Sequence, residues 1–256
     1  MTRPKILVTN DDSVDAPGIR KLISIMRKLG DVIVVAPDKP QSGMGHAITV
    51  ASPLRLKKIC IEENYEEYSC NGTPVDCVKL AEKAIIKGKP DLIVSGINHG
   101  SNASVNVVYS GTIAAALEGC IEGVNSIGFS LDDYSWSADF SHVDEYIEKI
   151  CKEVLQKGLP EYTCLNVNLP VNKGSQINGI KICRQARARW DEAFDARKDP
   201  HNQDYYWLTG VFYSDDIAED TDQWALKNNY IAIVPLHFDL TAHHNLKTIS
   251  SYDWNI

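Results

Sequence analysis

Lys5-Ile6-Leu7-Val8-Thr9-Asn10-Asp11-Asp12-Ser13 decides the fold. The short apolar run closed by a polar turn reads as a buried strand. Two acids follow it at once. In an open α/β sheet, ligands bind outside the carboxyl ends of the strands. Adjacent carboxylates there are hard oxygen donors of the kind that seat Mg²⁺ or Mn²⁺. The plainer alternative is turn and helix-cap chemistry.

Outward from this stretch, strand and helix signals alternate. Helical spacing covers residues 19–29, with Pro17 and Gly18 before it and Gly30 just past it. DVIVVAP at 31–37 predicts a second buried strand. A Gly-rich polar loop follows at 38–45, then a helix at 75–86. DLIVS at 91–95 reads as a strand and leads into a long loop of Gly, Asn and Ser. A helix at 111–122 and a strand at 126–130 complete the series. This alternation implies an α/β fold with a doubly wound, mostly parallel sheet.

Beyond about residue 170 the pattern changes. Before it come an amphipathic helix at 142–155 and an alternating strand, CLNVNL, at 164–169. After it come short strands, charge and aromatics, including Trp190, Tyr205, Tyr206, Trp207, Phe212 and Tyr213. Residues 193–204 are polar and read as a mobile loop. Thr221 is an expected N-cap, and YIAIVPL at 230–236 a last buried strand. The expected division is a core at 1–170 and a β-rich extension at 171–256, with the last strand free to return to the core.

The chain has 256 residues and a formal net charge of -8, which argues against the clustered basic face that nucleic-acid polymers need. Seven cysteines form neither a CxxC pair nor a zinc spacing and read as buried reduced thiols. Met1-Thr2-Arg3-Pro4 leads into the first strand without an apolar leader core. No apolar run approaches the roughly 18 residues of a membrane span. A cytoplasmic protein is expected.

Three strand-end loops carry oxygen and amide side chains that a parallel sheet brings to one edge. Asp11 and Asp12 would hold one divalent ion, with Ser42 and Asn98 adding neutral oxygens and coordination positions left for water and substrate. Either acid could also accept a proton. Ser110-Gly111-Thr112 opens an Ala-rich helix whose free N–H groups suit a phosphate, and Asn102 could donate to the same anion. Ordinary cap and turn roles compete for these residues. His46 and His99 sit in the same loops and could shuttle protons. No P-loop, complete GxGxxG or GxSxG elbow is present.

The chain resembles the survival protein SurE family of 5'/3'-nucleotidases. The matching blocks are Ile6 to Asp12, Ala16 to Ile19, Val34 to Asp38 with Gln41-Ser42-Gly43, and Asn71 to Val78. They continue through Ser95 to Asn98 with Gly100 and Asn102, Tyr109 to Thr112, Tyr206 to Gly210, Thr221-Asp222 and Pro235-Leu236 with Asp239 to Thr241. The resemblance implies a Rossmann-like domain with a C-terminal arm used in swapped homodimers or homotetramers. It implies a divalent-metal phosphatase acting on nucleoside monophosphates. By position, Asp11, Asp12, Ser42 and Asn98 look like its metal ligands, and Asn102, Ser110, Gly111 and Thr112 fall where the family binds phosphate. Ser13 departs from the glycine usual after the acid pair, and Met44-Gly45-His46 from a serine-rich stretch. Two rival readings use the same residues: a non-catalytic, metal-dependent nucleotide sensor, and a nucleotide-using transferase, for which no second substrate site is visible.

Overall fold

The computed structural model describes residues 3–254; Met1 and Thr2, the start of the segment read as leaderless, lie outside them. The first strand, β1 (Lys5–Thr9), lies in the interior of the sheet. Helix α1 (Pro17–Leu29) starts on Pro17, whose ring suits a first helical turn, and Gly30 closes it by donating to the Met26 carbonyl. Strand β2 (Asp31–Pro37) follows. An antiparallel pair then forms the edge, β3 (Leu56–Glu62) and β4 (Tyr65–Cys70).

Helix α2 (Pro74–Leu80) carries a reciprocal cap between Thr73 and Asp76 and widens into a π-helical stretch at Ala81–Ile86. Strand β5 (Leu92–His99) runs longer than its apolar core, and its register with the next strand shifts between Ser95 and Asn98. A 3-10 segment (Ser104–Tyr109) leads into α3 (Gly111–Ile121), followed by β6 (Ser126–Leu131), α4 (Asp144–Lys157) and β7 (Thr163–Leu169). The remainder holds β8 (Ile180–Ile182), β9 (Ala188–Lys198), β10 (Asp204–Ser214), α5 (Asp222–Lys227), β11 (Ile231–His237) and a short α6 (Leu246–Ser250).

Nine strands form one sheet in the order β3-β4-β2-β1-β5-β6-β7-β11-β8. The stretch from β4 to β7 is parallel, as the alternation implies, whereas β3 and β11 run antiparallel to their neighbours β4 and β7. Alternate residues of β1 serve two cores. Ile6 and Val8 pack with Ile19, Leu22 and Met26 of α1 and with Ile147 of α4. Leu7 packs on the other face with Cys77 and Val78 of α2 and Ala115 of α3. Both faces are therefore covered, as a parallel sheet requires. The parallel strands turn their carboxyl ends to one edge.

The segment at 193–204 is not a mobile loop. Its residues pair in an antiparallel hairpin, β9 with β10, from Ala188↔Ser214 to Lys198↔Asp204. The polar residues that suggested a loop are the exposed side chains of a ribbon that pairs with no other strand among the described residues. The β3-β4 pair is a second element absent from the sequence reading. LKKICIE of the edge strand β3 carries charge at most exposed positions, as edge strands do, and in YEEYSC of β4 a buried Glu67 paired with Arg20 hides the apolar pattern. Among the described residues, no helix is long and apolar enough to cross a membrane.

Candidate functional site

A cavity of about 340 Å³ opens where β1, β2 and β5 end; Asp11, Asp12, Ser42, Asn98, Asn102 and Ser110 all line it. The backbone stitches its three loops together. Gln41 N–H donates to the Asp11 carbonyl at 2.8 Å, and Gly45 N–H to the Tyr109 carbonyl at 3.1 Å. His99 N–H donates to Asp12 Oδ2 at 3.1 Å, so the end of β5 holds the second acid directly.

Asp11 is held from behind. Thr112 donates its hydroxyl to Asp11 Oδ1 at 2.5 Å, and its N–H adds a second hydrogen bond. Gly111 makes this approach possible: a Cβ there would lie 2.9 Å from the Asp11 Cβ. Thr112 and Gly111, expected to face a phosphate, thus stand behind Asp11 and do not line the cavity. Ser110 lines it and also caps α3, accepting from Ile113 N–H at 3.1 Å.

Both acids are buried, and no ion pair reaches either among the described residues. Burial, then the charge of Asp12, pushes the Asp11 carboxyl up to about 6. Burial also raises Asp12, against the lowering effect of the His99 N–H bond. Two desolvated carboxylates side by side call for a cation. The rest of the donor set fits a hard one. Asn98 commits its amide nitrogen to the Gly100 carbonyl at 2.7 Å and so has its oxygen to offer. Ser42 adds a hydroxyl. Among the described residues no cluster of three His, Cys, Asp or Glu side chains is placed to hold a metal, which leaves two acids with neutral oxygens as the available set.

The two histidines separate. His99 lines the cavity. Its ring stacks on Trp136 with centroids 5.3 Å apart, meets Phe140 edge-on, and donates from Nδ1 to the Ser135 carbonyl at 2.8 Å. Its Nε2 is buried without a partner. His46 lies outside the cavity, bonded to Glu118 of α3 at 2.9 Å. His243 and His244 are exposed near the C-terminus.

Several contributors were not foreseen. Asn168 Oδ1 accepts from Asn102 N–H at 2.8 Å, and Asn166 donates to the Asn102 carbonyl at 2.9 Å. Asn102 itself donates to Ser130 Oγ at 2.8 Å. These buried amides fix the loop that carries Asn102; polar residues at alternate positions of an otherwise apolar strand, LNVNL, were their signal. Asp222, fully buried, accepts from the N–H groups of Ser104 at 2.7 Å and Ala186 at 3.0 Å. Trp190 of the hairpin also lines the cavity and donates from Nε1 to Asn106 Oδ1 at 2.8 Å.

Residues 6–192 match the family described as "Survival protein SurE". A "5'-nucleotidase SurE" of Flavobacterium psychrophilum is 60% identical over 256 residues, covering 100% of both chains. One of Bacteroides fragilis is 45% identical over 252 residues, covering 98% of each. The crystal structure of the SurE protein from Aquifex aeolicus superposes with a TM-score of 0.82 at 39% identity, covering 96% of this chain and 98% of that one.

Proposed function

This chain belongs to the survival protein SurE family and is a 5'-nucleotidase, and we propose that it hydrolyses nucleoside monophosphates at the Asp11–Asp12 cavity, using one divalent ion, Mg²⁺ or Mn²⁺, per subunit. One observation carries the reading. Two buried carboxylates without a cationic partner share a cavity with the neutral oxygens of Ser42 and Asn98. These four residues would hold the ion. When bound, such an ion polarises a phosphoryl oxygen and lowers the pKa of a bound water.

The chain's own groups supply the rest. An acid whose proton affinity burial has raised toward neutrality suits proton acceptance from an attacking water, and Asp11 meets that description. Ser110 lines the cavity at the positive end of α3 and offers its hydroxyl to the phosphate. The second proton of the Asn102 amide serves the same anion. No serine or cysteine at the cavity is paired with a base, which favours direct attack by water. The dyad of buried acids also favours turnover over a sensor role, because it provides a proton acceptor that binding alone does not require.

On the face turned away from Trp190 and Glu192, the hairpin of β9 and β10 exposes Tyr205, Trp207, Val211 and Tyr213. A lone two-stranded ribbon is marginal in water, and an apolar surface of this kind marks an interface. We read it as the arm of a homodimer or of a homotetramer built from dimers. All seven cysteines are free thiols and six are buried, which supports a reducing, cytoplasmic setting.

The test is phosphate release from a panel of nucleoside monophosphates with and without EDTA. Chelation should abolish release, and Mn²⁺ or Mg²⁺ should restore it. Full activity after exhaustive chelation would overturn the metal site. Tight binding of nucleotide and metal without turnover would establish the sensor.

A further inference from the structure

A second cavity, of about 430 Å³, adjoins the first and shares Gly43, Tyr109 and Trp190 with it. These shared residues form the wall between the two spaces. Beyond it the lining passes to the hairpin, with Glu192 and the Leu208–Gly210 stretch. Trp190 and Glu192 are two positions apart on β9, so they share a face of the ribbon, separated by roughly 7 Å of strand. Phe212 lies across from Trp190 and packs edge-on against it, with centroids 5.5 Å apart. Gly210 lies across from Glu192 and brings no side chain, so the floor in front of the carboxylate stays open.

Glu192 is a carboxylate without an ion pair or side-chain hydrogen bond among the described residues. The indole beside it is fixed by its bond to Asn106. An aromatic wall and an open floor suit a flat ring, since any base offers a π-face for stacking. A free carboxylate at the far end offers two acceptors and no donor. A base that presents acceptors there would meet repulsion; one that presents two neighbouring donors would satisfy both oxygens at once.

Building on the nucleotidase reading, we propose that this second cavity receives the base of the substrate, and that Glu192 selects purines whose edge carries two adjacent donors, as guanine does with N1–H and its 2-amino group. Hypoxanthine keeps N1–H and O6 but lacks that amino group, so it meets only one of the two carboxylate oxygens. The phosphate lies on the Asp11–Asp12 side of the Tyr109–Trp190 wall and the base on the Glu192 side. Glu192 is a specificity determinant remote from the reacting atoms.

The experiment compares steady-state kinetics for GMP, IMP and p-nitrophenyl phosphate with Mn²⁺, in the wild-type protein and in Glu192→Gln. Wild type should favour GMP over IMP in kcat/KM by about ten-fold, the effect of one charge-assisted hydrogen bond made or lost. Glutamine offers one acceptor and one donor, which meets the N1–H and O6 edge that guanine and hypoxanthine share and no longer rewards the 2-amino group. The GMP-to-IMP ratio should therefore fall toward one in the variant, mainly through KM. Because the ratio is taken within each protein, a general loss of activity cancels. Equal kcat/KM values in wild type, or a ratio that Glu192→Gln leaves in place, would overturn the base site while leaving the nucleotidase reading intact. Hydrolysis of p-nitrophenyl phosphate with neither nucleotide turned over would overturn both.

Discussion

The Thr112 hydroxyl donates to Oδ1 of Asp11 at 2.5 Å, so the first turn of α3 aims an acid that sits at the end of β1. A partner of this kind fixes the orientation of a metal ligand and typically accounts for 10–100-fold in affinity. Thr112→Val keeps the shape and removes the donor. The Mn²⁺ concentration for half-maximal activity should rise roughly ten-fold, and Thr112→Ser should restore it. A lower Tm with an unchanged metal requirement would show that Thr112 serves packing alone.

The acids themselves should matter more. Asp11→Asn or Asp12→Asn should lower kcat by at least about 10²-fold, measured as phosphate release at saturating Mn²⁺. Near-normal turnover in both variants would move the site elsewhere.

The position of Asp11 has a cost that pH reveals. Burial and the neighbouring charge of Asp12 raise its carboxyl from 3.8 to about 6, so the cation-free fold prefers it protonated. Its contribution to stability is fully present below the unfolded value near 3.8 and is lost as pH rises through about 6. The interval corresponds to roughly 3 kcal/mol at most. In EDTA at pH 8, Asp11→Asn should melt several degrees above wild type, and the advantage should shrink toward pH 4. An equal or lower Tm for the variant at pH 8 would contradict this account.

Ser13, at φ 99, occupies backbone territory that glycine enters freely and side chains resist. Ser13→Gly should relieve that strain by about 1 kcal/mol after the entropy of the freer unfolded chain is subtracted. Calorimetry should register a Tm rise of about 2–4 °C. No rise would mean that neighbouring contacts already absorb the strain.

The hairpin makes a prediction about mass. Light scattering at micromolar concentration should give a multiple of 28.5 kDa. A clean monomer would refute the arm.

Much of this molecule could be read before folding. Strands β1, β2, β5 and β6 are compact apolar runs buried on both faces, and their order along the chain carried Asp11, Asp12, Ser42 and Asn98 to one edge. What escaped reading was whatever depended on a partner distant in sequence. Strand β3 carries too much surface charge to show alternation, and β4 buries a glutamate, Glu67, whose partner Arg20 lies on α1. In β9 and β10, polar composition suggested a loop, because only cross-strand pairing reveals the ribbon. The role of Thr112 escaped as well: a helix N-terminus suggests an anion site, and only the fold shows that its first recipient is the Asp11 carboxylate. Asn166 and Asn168 were visible as polar residues within a strand, but their loop partners were not.

The buried Asp222 joins Ser104 to Ala186, and this ties the cavity to the order in which the chain is made. Asp11 and Asp12 are among the first residues synthesised. The 3-10 segment that carries Asn106 and Tyr109 receives the last of its anchors, at Ser104 N–H, when Asp222 arrives. Domains fold from the N-terminus during synthesis, so the nascent chain holds its acids long before it can shape the space in front of them. A product truncated before α5 would keep both carboxylates and lack a finished cavity. The cavity is thereby finished only when translation is nearly complete.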